Sequence, residues 1–497
     1  MVSSRLLVLA RSAWVVAAGT LLSGCAWLGI LAPSDPLDAL RTDLDRLLSD
    51  SLFRPTIASV KIISLKTNEV LYERNSVLLL RPASNTKLLT TAAALLTLGK
   101  DFQFRTLLAA DSVSSPGIVE GNVYLKGFGD PDLATQDLDS LAARTAARGI
   151  QGIRGDLIVD ASYFDGQYWG SGWMWDDEPD PDGAPISALS LNKNCIRLTV
   201  YPDSATRSVP IFQLDPPTSY VTIVNCARIV PDSAVLPLTV RRLFEERSNT
   251  IAIEGELPAN SEPVPARTTV WQPEMYAGQV LRESLERRGI SMSGTVRYGI
   301  MPDSARPVAE FRHPIDSMVV HLNKVSDNLS AENTLKTLAA MNSRLPGTSA
   351  GGWYAVNQAL SNLGIDTTSY RFVDGSGISH YNLVTASTLV QLLQAMYHQP
   401  AIFPLFYASL PVAGVDGTLA RRMRGTPAEG NLRAKTGTIA GVTSLSGYVT
   451  TRDRELLAFS MMMQNFIRST GLYRAVQDTI GARLAGFSRS TRFLSRR

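Results

Sequence analysis

Three short motifs supply side chains that could carry out acyl transfer. Ser84-Asn85-Thr86-Lys87 sets a hydroxyl and an amine three positions apart. On a helix both share one face, and the lysine reaches back toward the serine. Burial would favour the neutral amine, which could then take the hydroxyl proton and make Ser84 a nucleophile. Free N–H groups at the helix start could hold a developing oxyanion. Alone the pattern is weak, because about one or two are due by chance in a chain this long; the plain alternative is a capping serine with a solvated lysine. Ser326-Asp327-Asn328 precedes an apolar helical run. Ser326 and Asn328 can face one cleft as proton relay and amide partner, or the trio can simply cap the helix. Lys435-Thr436-Gly437-Thr438 stands just before two strands, as on the edge of a sheet bordering a cleft. It offers a cation and two hydroxyls to a carboxylate, and Gly437 would let a substrate backbone come close. Lys-Thr-Gly is due only ~0.1 times by chance.

These motifs need elements to position them. After Pro82, an Ala/Leu-rich run without internal Gly or Pro extends to Gly99, which predicts a buried helix with Gly99 at its C-terminal cap. Ile57 to Ser64 and Val70 to Tyr72 read as strands joined by a polar turn. From about 105 to about 310 the texture becomes short Val/Ile/Thr runs broken by Gly, Pro and Asp, which predicts a mostly β region. Helical patterns follow at Leu329–Met341, Trp353–Leu363 and Ser387–Tyr397, strands at Thr443–Thr450 and Leu456–Met463, and a last helix at Leu472–Leu484. The fold class is therefore α/β (α+β): a helix-rich body interrupted by a long β-rich insertion. Ser84 and Ser326 stand 242 positions apart (326 − 84) and Lys435 follows 109 later (435 − 326), so the insertion lies between the first two motifs.

Composition narrows the partners. The 497 residues are 45% hydrophobic and 19% charged, which excludes a disordered or coiled-coil chain and, at ~150 residues per domain, predicts about three domains. A net charge of +3 gives no case for nucleic acid, and three cysteines with four histidines argue against a zinc cluster; no metal or cofactor is expected. Arg5 and Arg11 precede the apolar run Ala13–Leu22, which ends in Leu22-Ser23-Gly24-Cys25. This resembles the lipobox of bacterial lipoproteins and predicts a signal peptide over 1–24, a lipidated Cys25, a tether over 25–38, and an exported enzyme anchored on the periplasmic or cell-surface side. A plain secretory signal with an unmodified Cys25 is the other reading. Export would permit a disulfide between Cys195 and Cys226; two buried thiols are the alternative. The basic end 489–497 (Arg489, Arg492, Arg496, Arg497) reads as a solvated tail, with attraction to an anionic surface as the other option.

In this order, the three motifs are the set shared by penicillin-binding proteins and class A β-lactamases, and the first gap is far longer than in compact β-lactamases. From about Ile57 to about Gly486 the chain resembles the low-molecular-mass class C penicillin-binding proteins of the S13 peptidase family, the D-alanyl-D-alanine carboxypeptidase/endopeptidase type. Further segments carry the resemblance: Arg81-Pro82-Ala83, Gly129-Asp130-Pro131, the run Gly183 to Ser190, Asp374-Gly375-Ser376-Gly377, Leu410 to Gly414, and Asp416-Gly417-Thr418-Leu419. The resemblance implies a serine β-lactamase/transpeptidase-like body over 39–104 and 313–488. It also implies an insertion over 105–312 made of two domains, with about 193–265 nested.

The implied chemistry is attack of Ser84 on the penultimate D-Ala carbonyl of a peptidoglycan stem peptide. Ser84, Lys87, Ser326, Asn328 and Lys435 would be catalytic. The backbone N–H groups of Ser84 and Thr438 would hold the oxyanion. Thr436, Gly437, Thr438, Asp327 and His380 would contact substrate, cross-bridges would be cut as well, and β-lactams would acylate Ser84. His380 stands where the family commonly has Arg. The stretch Asp176 to Asp182 is less aromatic than the family suggests, lacks the spacing of a calcium loop, and reads as a solvated loop. Two rivals stand beside this reading. Gly347-Thr348-Ser349-Ala350-Gly351 fits the esterase elbow with His380 or His398 as partner, but a helical run and Pro346 precede it instead of a strand. A non-catalytic peptidoglycan-binding lipoprotein is the second rival, and three intact motifs stand against it.

Overall fold

The computed structural model describes residues 35–490 apart from 115–116, 204–207, 232 and 343–344. Cys25, the export segment and the end of the basic tail lie outside the described residues, among which no helix is long and apolar enough to cross a membrane.

A five-stranded antiparallel sheet forms the body. Its strands are β1 (Ile57–Ser64), β2 (Val70–Arg74), β3 (Arg433–Ile439), β4 (Val442–Thr450) and β5 (Leu456–Gln464), in the order β2-β1-β5-β4-β3. Side chains alternate between its faces and both faces are covered, so β4 and β5 are buried almost throughout. Leu445, Val449, Phe459 and Met461 pack with helices α1 (Pro36–Leu48) and α7 (Thr470–Gly486). Tyr448, Ala458 and Met462 pack on the other side with α2 (Thr86–Thr97), α3 (Ile315–Val325), α4 (Asn328–Met341), α5 (Ser349–Ser361) and α6 (Ala386–Tyr397). Within α2, Leu88, Leu89 and Leu95 are fully buried and stabilise the fold by about 1.5–3 kcal/mol each. Helix α1 is capped by Asp35 and begins inside the expected tether.

The insertion leaves the body and returns at one point. Its entry strand Gln103–Ala110 and exit strand Arg306–Pro314 pair antiparallel, from Gln103↔Pro314 to Ala110↔Arg306, so the sheet of the body is not interrupted. The insertion is mostly β as expected, with two helices among its strands, Thr135–Ala147 and Pro273–Arg287. Each buries a stripe at three- and four-residue spacing: Leu138, Leu141, Ala142 and Thr145 in one, Tyr276, Ala277, Val280, Leu281 and Leu285 in the other. A second neck is made by Cys195–Tyr201 pairing with Val264–Thr269, and the segment between them carries its own three-stranded sheet. Ile251 and Ile253 of that sheet join one hydrophobic cluster with Leu125, Leu157 and Val280, so the nested part has no core of its own.

The disulfide expectation is not met: Cys195 and Cys226 are both free thiols. Cys195 is buried at the start of one sheet's central strand, whereas Cys226 is exposed just past the Thr222–Asn225 strand of another. Burial raises the Cys195 thiol to about 11. Arg489, expected in a solvated tail, is instead paired with Glu455 and Glu69.

Candidate active site

Ser84 sits half-buried in a tight turn, Ala83–Asn85, that runs straight into α2. One turn on, Lys87 is 0% exposed. Its Nζ donates to Ser84 Oγ at 3.1 Å, Asn328 Oδ1 at 2.6 Å and the Ser376 carbonyl at 2.6 Å. Burial pushes the Lys87 amine down to about 8, against the opposing pull of the Asp374, Glu332, Asp327 and Asp182 carboxylates. A neutral lysine amine in hydrogen-bond reach of a serine is an arrangement that can generate an alkoxide nucleophile.

Ser326 ends α3 in the left-handed region (φ 66), a conformation few non-glycine residues adopt. The turn lets Ser326 and Asn328 line the same cleft as Ser84. Fully buried Lys435 donates to Ser326 Oγ at 2.9 Å, and burial together with the charge of Lys87 holds its amine well below the usual lysine range. Asn328 bridges two parts of the molecule: Oδ1 accepts from Lys87, and Nδ2 donates to the Asp182 carbonyl at 2.9 Å.

Strand β3 is clamped to the nucleophile turn. Asn85 Nδ2 donates to the Lys435 carbonyl at 3.1 Å and to Ser444 Oγ at 2.8 Å, while Ser444 Oγ donates to the Pro82 carbonyl at 2.6 Å. Gly437 is the point of closest approach: an added Cβ would lie 2.2 Å from Ser444 Oγ, 2.7 Å from Pro82 O and 3.0 Å from Ser84 N. The glycine therefore makes room for the nucleophile's own backbone, where the sequence suggested room for substrate. Gly437→Ala is expected to push the strand off the turn and slow penicillin acylation on the order of 100-fold, measured by stopped-flow with a chromogenic β-lactam. On either side of the glycine, Thr436 Oγ1 donates to Thr418 Oγ1 at 2.8 Å, and Thr438 Oγ1 accepts from Arg474 Nη2 at 2.8 Å.

A buried pair of carboxylates supports Lys87 from behind. Glu332, on α4, accepts from the Gly375 and Ser376 N–H groups, and Asp374 accepts from those of Gly377 and Ser379. Together they hold the loop whose Ser376 carbonyl receives Lys87. Burial and then the Asp374 charge lift Glu332 to about 7. Glu332 was not singled out from sequence, and Asp374 entered only as part of the segment Asp374-Gly375-Ser376-Gly377, with no role attached.

The cleft, of about 640 Å³, has Asp176, Asp177, Asp180 and Asp182 on one wall and Arg422 and Arg474 on another. The acidic stretch lines the site, and Asp176, Asp180 and Asp182 are exposed, as expected of a solvated loop. No cluster that could hold a metal ion is present among the described residues.

The family model for D-Ala-D-Ala carboxypeptidase 3 (S13) matches residues 40–487. The chain belongs to the S13 family. It is 38% identical over 467 residues to the D-alanyl-D-alanine carboxypeptidase of Actinomadura sp. (strain R39), covering 91% of this chain and 85% of that protein. It is 28% identical to D-alanyl-D-alanine carboxypeptidase DacB of Haemophilus influenzae, over 86% of this chain and 92% of the relative. The crystal structure of penicillin binding protein 4 (dacB) from Haemophilus influenzae superposes with a TM-score of 0.76 at 27% identity, covering 89% of this chain and 98% of the other. The same protein complexed with a β-lactam gives a TM-score of 0.72 at 25% identity, with the same coverage.

In this S13 chain two expected substrate contacts stand elsewhere. Asp327 caps α4 through the Ser330 N–H and pairs with Lys193 (3.1 Å) and His321 (3.3 Å), facing a neighbouring cavity. Burial would raise its carboxyl, but the Lys193 charge and the bonds from His321 and Ser330 outweigh that and hold it well below the usual range. At the other position the cleft wall is Gly377 and Ile378, while His380 Nδ1 accepts from Arg81 Nη1 at 3.1 Å. Burial and the Arg81 charge lower His380, so it is neutral at pH 7. Ser349 opens α5 behind its cap Thr348, with no preceding strand, and no histidine bonds to it among the described residues. The esterase reading is therefore not supported.

Proposed function

We propose that this S13 protein is a serine-type D-alanyl-D-alanine carboxypeptidase that also cuts D-Ala cross-bridges of peptidoglycan. The observation that carries the reading is the buried Lys87 amine 3.1 Å from Ser84 Oγ, in a cleft whose opposite side holds Lys435 2.9 Å from Ser326 Oγ. Lys87 takes the Ser84 proton as Oγ attacks the penultimate D-Ala carbonyl. The oxyanion sits between the backbone N–H groups of Ser84 and Thr438; the close packing of Gly437 on Ser84 N supports this placement. Collapse of the intermediate breaks the C–N bond, and Ser326, backed by Lys435, passes a proton to the departing amine. Asn328 orients the acyl side. Thr436 and Thr438, the latter backed by Arg474, receive the terminal carboxylate. Water then cleaves the Ser84 ester. A β-lactam would open on the same serine, as the β-lactam complex of the Haemophilus influenzae relative suggests.

The catalytic body is assigned to 39–104 and 313–488, and 105–312 to the insertion with 193–265 nested in it. The paired necks support this division. A wall peptidase works outside the cytoplasm, and we extend this to a lipoprotein held by Cys25. Incubating the purified protein with a pentapeptide ending in D-Ala-D-Ala and following products by mass spectrometry tests the activity. Release of one D-Ala per peptide is expected, and an uncleaved peptide would refute it.

A further inference from the structure

Beside the active cleft lies a second cavity of about 520 Å³, between α3 and the insertion. The two share Asp182, Val325, Ser326 and Asn328 as a common wall. Ser326 is the group that protonates the departing amine in the mechanism above, so whatever is attached to that amine must leave along Ser326. A single D-Ala needs no further room, but a departing chain does. This cavity too is bordered by Ser326.

The charges in this cavity are unevenly paired. Lys193 bonds Asp132 at 2.6 Å and Asp327 at 3.1 Å, and Arg197 bonds Asp215 at 2.7 Å. Arg267 lies directly across the strand pair from Arg197 and makes no ion pair among the described residues. Two arginines opposite one another destabilise a sheet unless an anion offsets them. Asp215 offsets one; the other guanidinium is exposed at the cavity, where it bonds the Cys195 thiol and feels the Asp182 carboxylate without a close ion pair.

We infer that the second cavity holds the departing half of a cross-linked substrate, an acidic peptide whose free carboxylate is received by Arg267. The inference rests on the acyl-transfer reading of Ser84 and adds a leaving-side subsite to it. Arg267 is a specificity-determining residue in this account, needed for cross-linked dimers and dispensable for monomers.

Steady-state hydrolysis of a monomeric pentapeptide muropeptide and of a cross-linked dimeric muropeptide tests it, in the wild type, Arg267→Glu and Arg267→Lys. Arg267→Glu is expected to raise KM for the dimer about tenfold, the worth of one charge-assisted contact, and to leave kcat/KM for the monomer within about twofold. Arg267→Lys should recover most of the dimer activity. Equal loss on both substrates, or no loss on the dimer, would overturn the subsite. A wild type that trims the monomer yet leaves the dimer intact would overturn it too, while sparing the carboxypeptidase reading. A wild type that releases no D-Ala from the monomer would remove both.

Discussion

Ser84→Ala is expected to abolish labelling by a fluorescent penicillin and to lower D-Ala release by about 10⁴–10⁶-fold, as loss of a nucleophile does in other serine hydrolases. The variant should stay folded. Ser84 is half-buried and its side chain's one hydrogen bond comes from Lys87, which keeps two other acceptors, the Asn328 amide and the Ser376 carbonyl. An unchanged melting temperature beside a blank labelling gel is therefore the expected pair of results. Retained labelling would mean that another residue is acylated.

The second large effect concerns Lys87. Lys87→Met keeps most of the side-chain volume and removes the amine, and is expected to slow acylation on the order of 10³–10⁴-fold, the upper range for general-base loss. The pH dependence makes this specific. Burial holds the amine at about 8, against an ordinary 10.5, so far more of the neutral base is present at pH 7 than an ordinary lysine would supply. The wild-type acylation rate should climb as pH rises through about 8 and then level off, and in Lys87→Met that climb should be missing. Rates of β-lactam acylation between pH 6 and 10 check both parts. A wild-type profile persisting in the variant would move the base elsewhere, with Lys435 the next candidate.

Much of the body was legible because its signals are local. The Ala/Leu run ending at Gly99 became α2, and the strand and helix patterns after Arg433 fall within a few residues of their expected ends. Lys435 falls on the edge strand that the sequence indicated. What was not legible depends on contacts between distant parts of the chain. Asp182 and Asn328 are 146 positions apart, yet their hydrogen bond makes the acidic stretch a wall of the cleft. Asp327 looked like a substrate contact only because it stands between two residues that face the cleft; the left-handed turn at Ser326 sends it to Lys193 instead. Glu332 and Asp374 could not be paired from sequence, since their shared role is to hold backbone N–H groups of one loop. The two helices of the insertion were hidden among short strands by their many charged residues.

The central claim is that one serine, Ser84, carries the acyl group. Intact-mass analysis of the penicillin-treated protein, followed by peptide mapping, tests it most directly. One β-lactam per chain, on the peptide containing Ser84 and absent from Ser84→Ala, is the result the structure predicts. An adduct on Ser326, Ser349 or any other residue, or D-Ala release undiminished in Ser84→Ala, would contradict it.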